Sequence, residues 1–323
     1  MNSTPILDVR GLSVGFSTIG GLLVAVEDVS LSVVRGEVLA IIGESGSGKT
    51  VTAMSIARLL ASPPSRVLGG SVRMGKDEIL ALDDRAMEEV RGRRIGTIFQ
   101  NPRASLDPSF TIASQLIETL LRHDPALGRT AAAAEAVRML GEVGFPDVDQ
   151  VMASYPHQLS GGMCQRIALA MVLACKPEVL IADEPTTALD VGVQARVLLL
   201  LKRRSRETGL PIILITHDIG VVAAMAARVL VMYGGQMQEE APVADLLERP
   251  LHPYTRALIA AIPDPDLPPG ERGFIEGEPP DLADPPPGCR FAPRCPKAEA
   301  RCQTEVPVWR QVAPHRSVRC HLV

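Results

Sequence analysis

Aromatic side chains are scarce in this chain of 323 residues, at 3% with a single Trp, although hydrophobic residues of all kinds reach 46%. A core must therefore be built mostly from Leu, Ile, Val and Ala. A basic excess is also missing: the formal net charge of −4 argues against a nucleic-acid partner, because a chain that neutralises phosphodiesters usually carries surplus Lys and Arg. No acidic stretch is dense enough to suggest a solvating tail. No apolar run approaches the length of a membrane span, and Asp8 and Arg10 stand where a signal peptide would have its apolar region. The chain on its own is expected to be soluble and cytosolic. Its six cysteines are then expected as reduced thiols or metal ligands.

What is present is organised around Val38 to Val51. An apolar run rich in β-branched residues ends at Gly43, and Gly43-x-x-x-x-Gly48-Lys49-Thr50 fits the P-loop pattern. Backbone N–H groups from Ser45, Gly46, Ser47, Gly48 and on to Val51 would surround a nucleotide's phosphates. Lys49 would reach the β/γ-phosphates and Thr50 would hold Mg²⁺. Glycine is needed where the backbone passes close to oxygen atoms, and a helix starting near Lys49 adds the positive end of its dipole. A chain of this length divides naturally into a nucleotide-binding domain and an appendage.

Before the P-loop, Ile6 to Val33 alternates apolar and polar residues around Gly11 and the Gly20-Gly21 pair, which predicts short antiparallel strands joined by a turn. Phe16 lies there, placed either to stack on an adenine ring or simply to pack. After the P-loop, Gly69-Gly70 is expected to break the pattern before a strand over Ser71 to Met74. Another strand, Arg94 to Phe99, ends on Gln100. From Ser105 to Tyr155 the periodicity is helical, with Leu116, Ile117, Leu120 and Leu121 on one face. Leu159-Ser160-Gly161-Gly162-Met163 then opens a helix through Ala174, a second candidate anion site. Val179 to Asp183 reads as a buried strand ending in two carboxylates: Asp183 can hold Mg²⁺ through water, and Glu184 can orient a water attacking the γ-phosphate. Asp190 follows. Ile212 to Ile215 is one more buried strand, with His217 at the edge where α/β sheets bind ligands.

P-loop, Gln100, Leu-Ser-Gly-Gly, Asp-Glu, Leu-Asp and His217, in this order, resemble the ATP-binding subunit of an ABC transporter over residues 6 to about 240. The resemblance implies an α/β P-loop NTPase core with a mixed sheet, an antiparallel β subdomain, a helical subdomain at about 101–175, and ATP with Mg²⁺ as ligands. It implies that Ser160, Gly161 and Gly162 act on ATP held by a partner chain, that Asp190 crosses the dimer interface, that His217 braces the γ-phosphate, and that Gln100 senses Mg²⁺ and touches the membrane subunit. Met163 stands where the family's commonest signature has Gln, a variant that resembles the peptide-importer branch. Glu248-Arg-Pro-Leu-His252-Pro253-Tyr254-Thr255 and the Cys-containing end also resemble dipeptide and oligopeptide importer ATPases. The expected division is residues 1–240 as ATPase domain and 241–323 as a peptide-importer-type extension, with 263–288 ordered despite its proline content.

The resemblance further implies a sister ATPase forming a heterodimer, two integral-membrane permeases, an extracytoplasmic substrate-binding protein, and a peripheral position on the cytoplasmic face of the inner membrane. Nickel or a glutathione-like solute is an alternative to peptides. A soluble, non-transport ABC ATPase is another, disfavoured because the chain has one P-loop and no coiled-coil insert. Cys289, Cys295, Cys302 and Cys320, spaced C-x5-C-x6-C-x17-C, are expected to bind a metal. Their spacing lacks the C-x2-C knuckle of structural zinc, and Cys295-Pro296 echoes ferredoxin ligation. A [4Fe–4S] cluster, which the resemblance also implies, is expected ahead of zinc.

Overall fold

The computed structural model describes residues 4–187, 189–261 and 275–323. Strands β1 (Leu7–Thr18) and β2 (Gly21–Val33) form the hairpin expected from the alternation, with Thr18 opposite Gly21, although both strands are long. β3 (Val38–Ile42) is buried throughout and leads through the P-loop into α1 (Lys49–Ile56). β4 (Ser65–Met74) pairs with β1 and with the short β5 (Asp77–Glu78). Gly69-Gly70 does not break the chain as expected but lies within β4. A Cβ on Gly70 would sit 2.6 Å from the Leu12 backbone, and the register shifts between Arg10 and Val14, so the glycines mark a bulge where two strands close in.

There follow α2 (Asp84–Val90), β6 (Ile95–Ile98), α3 (Ile112–His123), α4 (Arg129–Glu142), α5 (Val148–Ala153), α6 (Gly161–Ala174), β7 (Val179–Asp183), α7 (Val191–Thr208) and β8 (Ile212–Ile215). Then come α8 (Ile219–Met225), β9 (Arg228–Tyr233), β10 (Gln236–Pro242), α9 (Val243–Glu248), α10 (Pro253–Ala260), α11 (Ala300–Thr304), β11 (Arg310–Ala313) and β12 (Arg316–Val318).

Two compact units result. One comprises the described residues up to Ile6, Val34–Glu37 and Ala81–Leu214. Its strands run β8-β7-β6, with β6 and β7 parallel and Ile95 opposite Val179. All five residues of β7 are buried, as expected of uninterrupted apolar strands covered on both faces. Helices α3 to α6 build the helical part, burying Leu116, Leu120, Met139 and Leu140. Ile117 and Leu121 on the same stripe are half-buried.

The other unit comprises Leu7–Val33, Val38–Leu80 and the described residues from Ile215 onward. It holds the antiparallel sheet β2-β1-β4-β5 and the mixed run β11-β12-β10-β9-β3, in which only β3 and β9 are parallel. β3 is buried on both faces because its Leu and Ile residues leave no polar side, each contributing about 1.5–3 kcal/mol by burial. The C-terminal tail is part of this unit: β12 pairs with β10, placing Glu239 opposite Val318. Of the stretch expected to be an ordered extension, residues 275–288 are described and run without regular structure, whereas 263–274 lie outside the described residues.

A buried carboxylate fixes the turn into α10. Glu239 is fully buried and accepts hydrogen bonds from the N–H groups of Leu251 (2.9 Å) and His252 (2.8 Å), with the Arg316 guanidinium at 3.4 Å. His252 caps α10, its Nδ1 accepting from the Tyr254 N–H at 3.0 Å. Burial pushes the imidazole down to about 3, from an ordinary value of 6.5. The unfolded chain therefore takes up a proton as the pH falls through 6.5 while the folded chain does not, so His252 leaves stability intact above that value and erodes it below. Urea midpoints measured between about pH 7 and pH 5 should fall in the parent and fall less in His252→Asn, whose amide oxygen can keep the cap. An unchanged slope in the variant would assign the acid loss to another group.

Candidate functional site

The P-loop is built by one contact requirement at its start and one at its end. Gly43 has φ +150°, and a Cβ there would lie 2.1 Å from the Met232 carbonyl oxygen on β9. Gly48 has φ +96°, and its Cβ would lie 2.9 Å from the Ala25 carbonyl oxygen on β2. Any side chain at either position pushes into neighbouring backbone. Between them Ser45 and Gly46 are exposed, with open space around the Gly46 Cα, while Ser47 is buried.

Lys49 is 8% exposed, and its ammonium donates to the carbonyls of Gly43 (2.8 Å) and Glu44 (2.7 Å) and to Ser47 Oγ (3.2 Å). The loop is thus wrapped around the charge that the phosphate reading requires. Gly48, the N-cap of α1, provides no side-chain cap. Asp83, Thr111, Asp147, Ser160, Asp190 and Asp218 each cap their own helices. The first turn of α1 thus carries no capping side chain over it, and the exposed Thr50 stands at that turn. These features fit a nucleotide's phosphates.

Two further residues of the sequence reading belong to this unit. Phe16 is half-buried on β1, opposite Leu23 and Ser65. His217 is exposed just after Thr216, whose N–H donates to the Ile41 carbonyl at the end of β3, so it lies at the strand edge expected for it.

In the other unit, Asp183 ends β7 at 1% exposure and Glu184 follows in the left-handed region with φ +49°. A non-glycine residue there is strained, and such strain is kept where surrounding structure over-determines it. Here two donors hold the carboxylate: Gln100 Nε2 at 3.1 Å and Thr187 Oγ1 at 2.9 Å. The structure thus brings Gln100 and Glu184 together, although they are distant in sequence. Ser160 Oγ accepts from the Met163 N–H at 3.2 Å, and Gly161 has nothing within 4 Å of where a Cβ would be, so the signature presents an open helix start. Asp190 caps α7 through the Val193 N–H at 2.9 Å and is exposed.

The expected metal at the C-terminal cysteines is not supported. Among the described residues no group of three or more His, Cys, Asp or Glu side chains is placed to hold a metal ion, so neither the [4Fe–4S] cluster nor zinc has a ligand set at Cys289, Cys295, Cys302 and Cys320. All four are free thiols. Burial pushes Cys289 up to about 11 and also raises Cys295 and Cys320, which favours the neutral thiol in the metal-free chain. Cys289 and Cys295 instead pack as small apolar groups against the cluster of Tyr233, Tyr254 and Phe291. Cys302 and Cys320 are buried as well. Cys164 on α6 is a buried thiol, as its sequence context suggests, whereas Cys175, for which the same is expected, is only half-buried just after that helix.

Sequence reasoning missed a set of residues behind the P-loop. Glu44 donates its N–H to the Tyr254 hydroxyl at 2.8 Å, and its carboxylate pairs with Arg294 at 2.6 Å. No local signal marks a partnership across some 250 positions.

Comparison with known proteins gives the family. The profile described as ABC transporter matches residues 26–187, the one described as oligopeptide/dipeptide transporter, C-terminal region, matches 238–302, and an AAA-domain profile overlaps the first at 154–223. The dipeptide transport ATP-binding protein DppD of Bacillus subtilis is 46% identical, covering 98% of this chain and 94% of that protein. The oligopeptide transport ATP-binding protein AppD of the same organism is 43% identical over 98% and 96%. Among solved structures, the dimeric post-hydrolysis state of the ATP-binding cassette MJ0796 bound to ADP and Pi is similar, with TM-score 0.67 and 27% identity, covering 73% of this chain and 98% of that one. The chain belongs to the ABC transporter family and is one of its ATPases.

Proposed function

We propose that this chain is the ATP-hydrolysing subunit of an importer for di- and oligopeptides. The observation that carries the reading is the pairing of an ABC cassette with a C-terminal region matching that of oligopeptide/dipeptide transporters. Residues 1–240 serve as the ATPase domain and 241–323 as the transporter-specific extension. In the P-loop unit, Ser45, Gly46, Ser47, Gly48, Lys49, Thr50 and Val51 bind the phosphates, Phe16 stacks on the adenine, and His217 braces the γ-phosphate. In the other unit, Glu184 orients the attacking water, while Ser160, Gly161 and Gly162 act on ATP bound by a second ATPase subunit and Asp190 lies in that interface. Mg²⁺, when bound, neutralises phosphate charge. In the P-loop unit the Thr50 hydroxyl is a hard oxygen donor of the kind it takes, and in the other unit the Asp183 carboxylate and the Gln100 amide are such donors too.

No helix among the described residues is long and apolar enough to cross a membrane. The proposed assembly is a pair of non-identical ATPases beneath two permeases, supplied by an extracytoplasmic binding protein. It would sit on the cytoplasmic face of the inner membrane. Affinity purification of the tagged full chain from detergent-solubilised membranes tests this. Integral-membrane subunits and a second ATPase should copurify, and di- or oligopeptides with the binding protein should stimulate hydrolysis. Stimulation by nickel or a glutathione-like solute in place of peptides would change the substrate class. Recovery without any membrane protein would favour a soluble ABC ATPase.

A further inference from the structure

In a chain this poor in aromatics, two of its three tyrosines and one of its six phenylalanines converge behind the P-loop. Tyr233 and Tyr254 have ring centroids 4.5 Å apart, and Phe291 meets both at 5.3 Å, edge-on to Tyr233. All three are essentially fully buried. Over this platform lies the Arg294 guanidinium, 5.7 Å from the Tyr233 centroid, with its side chain only 4% exposed.

Every direction of that fork is used. Nη1 donates to Glu44 Oε2 (2.6 Å) and to the Tyr233 hydroxyl (3.2 Å); Nη2 donates to Glu44 Oε1 (3.1 Å) and the Ile275 carbonyl (3.1 Å); Nε donates to the Glu276 carbonyl (2.8 Å). Two-point pairing of Arg with a carboxylate fixes orientation as well as charge. Glu44 is therefore gripped twice from the C-terminal region, at its carboxylate by Arg294 and at its backbone N–H by the Tyr254 hydroxyl. The same residue's carbonyl accepts the Lys49 ammonium at 2.7 Å. One residue of the P-loop thus links the extension directly to the lysine that the nucleotide reading places on phosphate.

We infer that Arg294, acting through Glu44 and seconded by Tyr254, is a positioning residue for the P-loop: the C-terminal region pre-forms the loop's first turn so that nucleotide binding does not have to order it. The inference rests on the reading of Gly43 to Val51 as the phosphate loop. It gives the transporter-specific extension a task at the ATP site, through residues that themselves touch no nucleotide. Once the clamp is broken, the backbone freedom of Glu44 must be lost at each binding event. Losing about one residue's conformational entropy costs about tenfold in affinity.

The test is Mg²⁺-ATP affinity of the full chain, measured by displacement of a fluorescent ATP analogue, alongside thermal unfolding without nucleotide. Arg294→Gln and Glu44→Gln should each weaken affinity about tenfold. Their double variant should be no weaker than either alone, because one shared contact is lost. Arg294→Lys, a point charge without the fork, should recover part of the loss. Glu44→Gln covers the case in which the buried Arg294 variant folds poorly, since Glu44 is 25% exposed. Parental affinity in both single variants, even with lowered thermal stability, would reduce the clamp to ordinary packing and overturn the inference. Additive losses in the double variant would overturn it as well. Lys49→Ala serves as control: its loss of binding with no change in the clamp variants defeats this inference alone, whereas its parental binding defeats the phosphate-loop reading and the inference with it.

Discussion

Glu184→Gln is expected to bind ATP like the parent while hydrolysing it roughly 10²–10⁴-fold more slowly in the assembled transporter. The carboxylate sits one residue past the end of a fully buried strand, held by Gln100 Nε2 and Thr187 Oγ1 on a backbone at φ +49°. Glutamine is nearly isosteric, and its amide oxygen can accept both hydrogen bonds, so the strained turn should survive the substitution. What is lost is the negative charge that orients a water and takes its proton. Binding should be spared because the proposed phosphate contacts come from the P-loop and not from Glu184. The expected state is a trapped, ATP-loaded, closed pair of subunits. Phosphate release under single-turnover conditions, with nucleotide retention on the same sample, measures both halves. Turnover at the parental rate would remove Glu184 from the proposed role.

Much of this arrangement was legible because it is local. β3, β7 and β8 are apolar runs without a polar face, and each is followed at once by the residues proposed for chemistry, so strand and site were read from the same few positions. The hairpin turned where Gly20-Gly21 said it would. What escaped the sequence is what depends on distant partners. Gly69-Gly70 looked like a break because a glycine pair has no local preference for a strand; only the approach of Leu12 shows that the pair makes room for β1. The tail strands β11 and β12 are short, and nothing in their composition points to pairing with β10. Four cysteines close in sequence suggest a metal cage, yet among the described residues no group of three or more candidate ligands is placed to hold a metal ion, and Cys289 and Cys295 pack beside aromatic rings. Arg294 reads in sequence as one of several basic residues around the cysteines, whereas its partner is a carboxylate 250 positions away, Glu44.

Lys49→Ala should weaken ATP binding itself, by about 1.5–3 kcal/mol or roughly 10- to 150-fold, the range for losing a charge-assisted hydrogen bond. The structure adds a second component to the loss of a phosphate contact. The ammonium draws together the carbonyls of Gly43 and Glu44 and the Ser47 hydroxyl, so it closes the loop from within. With alanine those acceptors lose their common donor, and the carbonyl dipoles that faced a positive charge would face a triphosphate unscreened. The change is therefore expected to cost more than the phosphate contact alone, and methionine, which fills the volume without the charge, should restore loop packing but not affinity. Equilibrium binding of Mg²⁺-ATP to the full chain, with thermal unfolding in the absence of nucleotide, separates the two components. Affinity should fall in both variants, and stability should fall mainly in the alanine one. Parental affinity in either would contradict a phosphate-binding role for Lys49, and with it the reading of Gly43 to Val51 on which the rest of the ATP site depends.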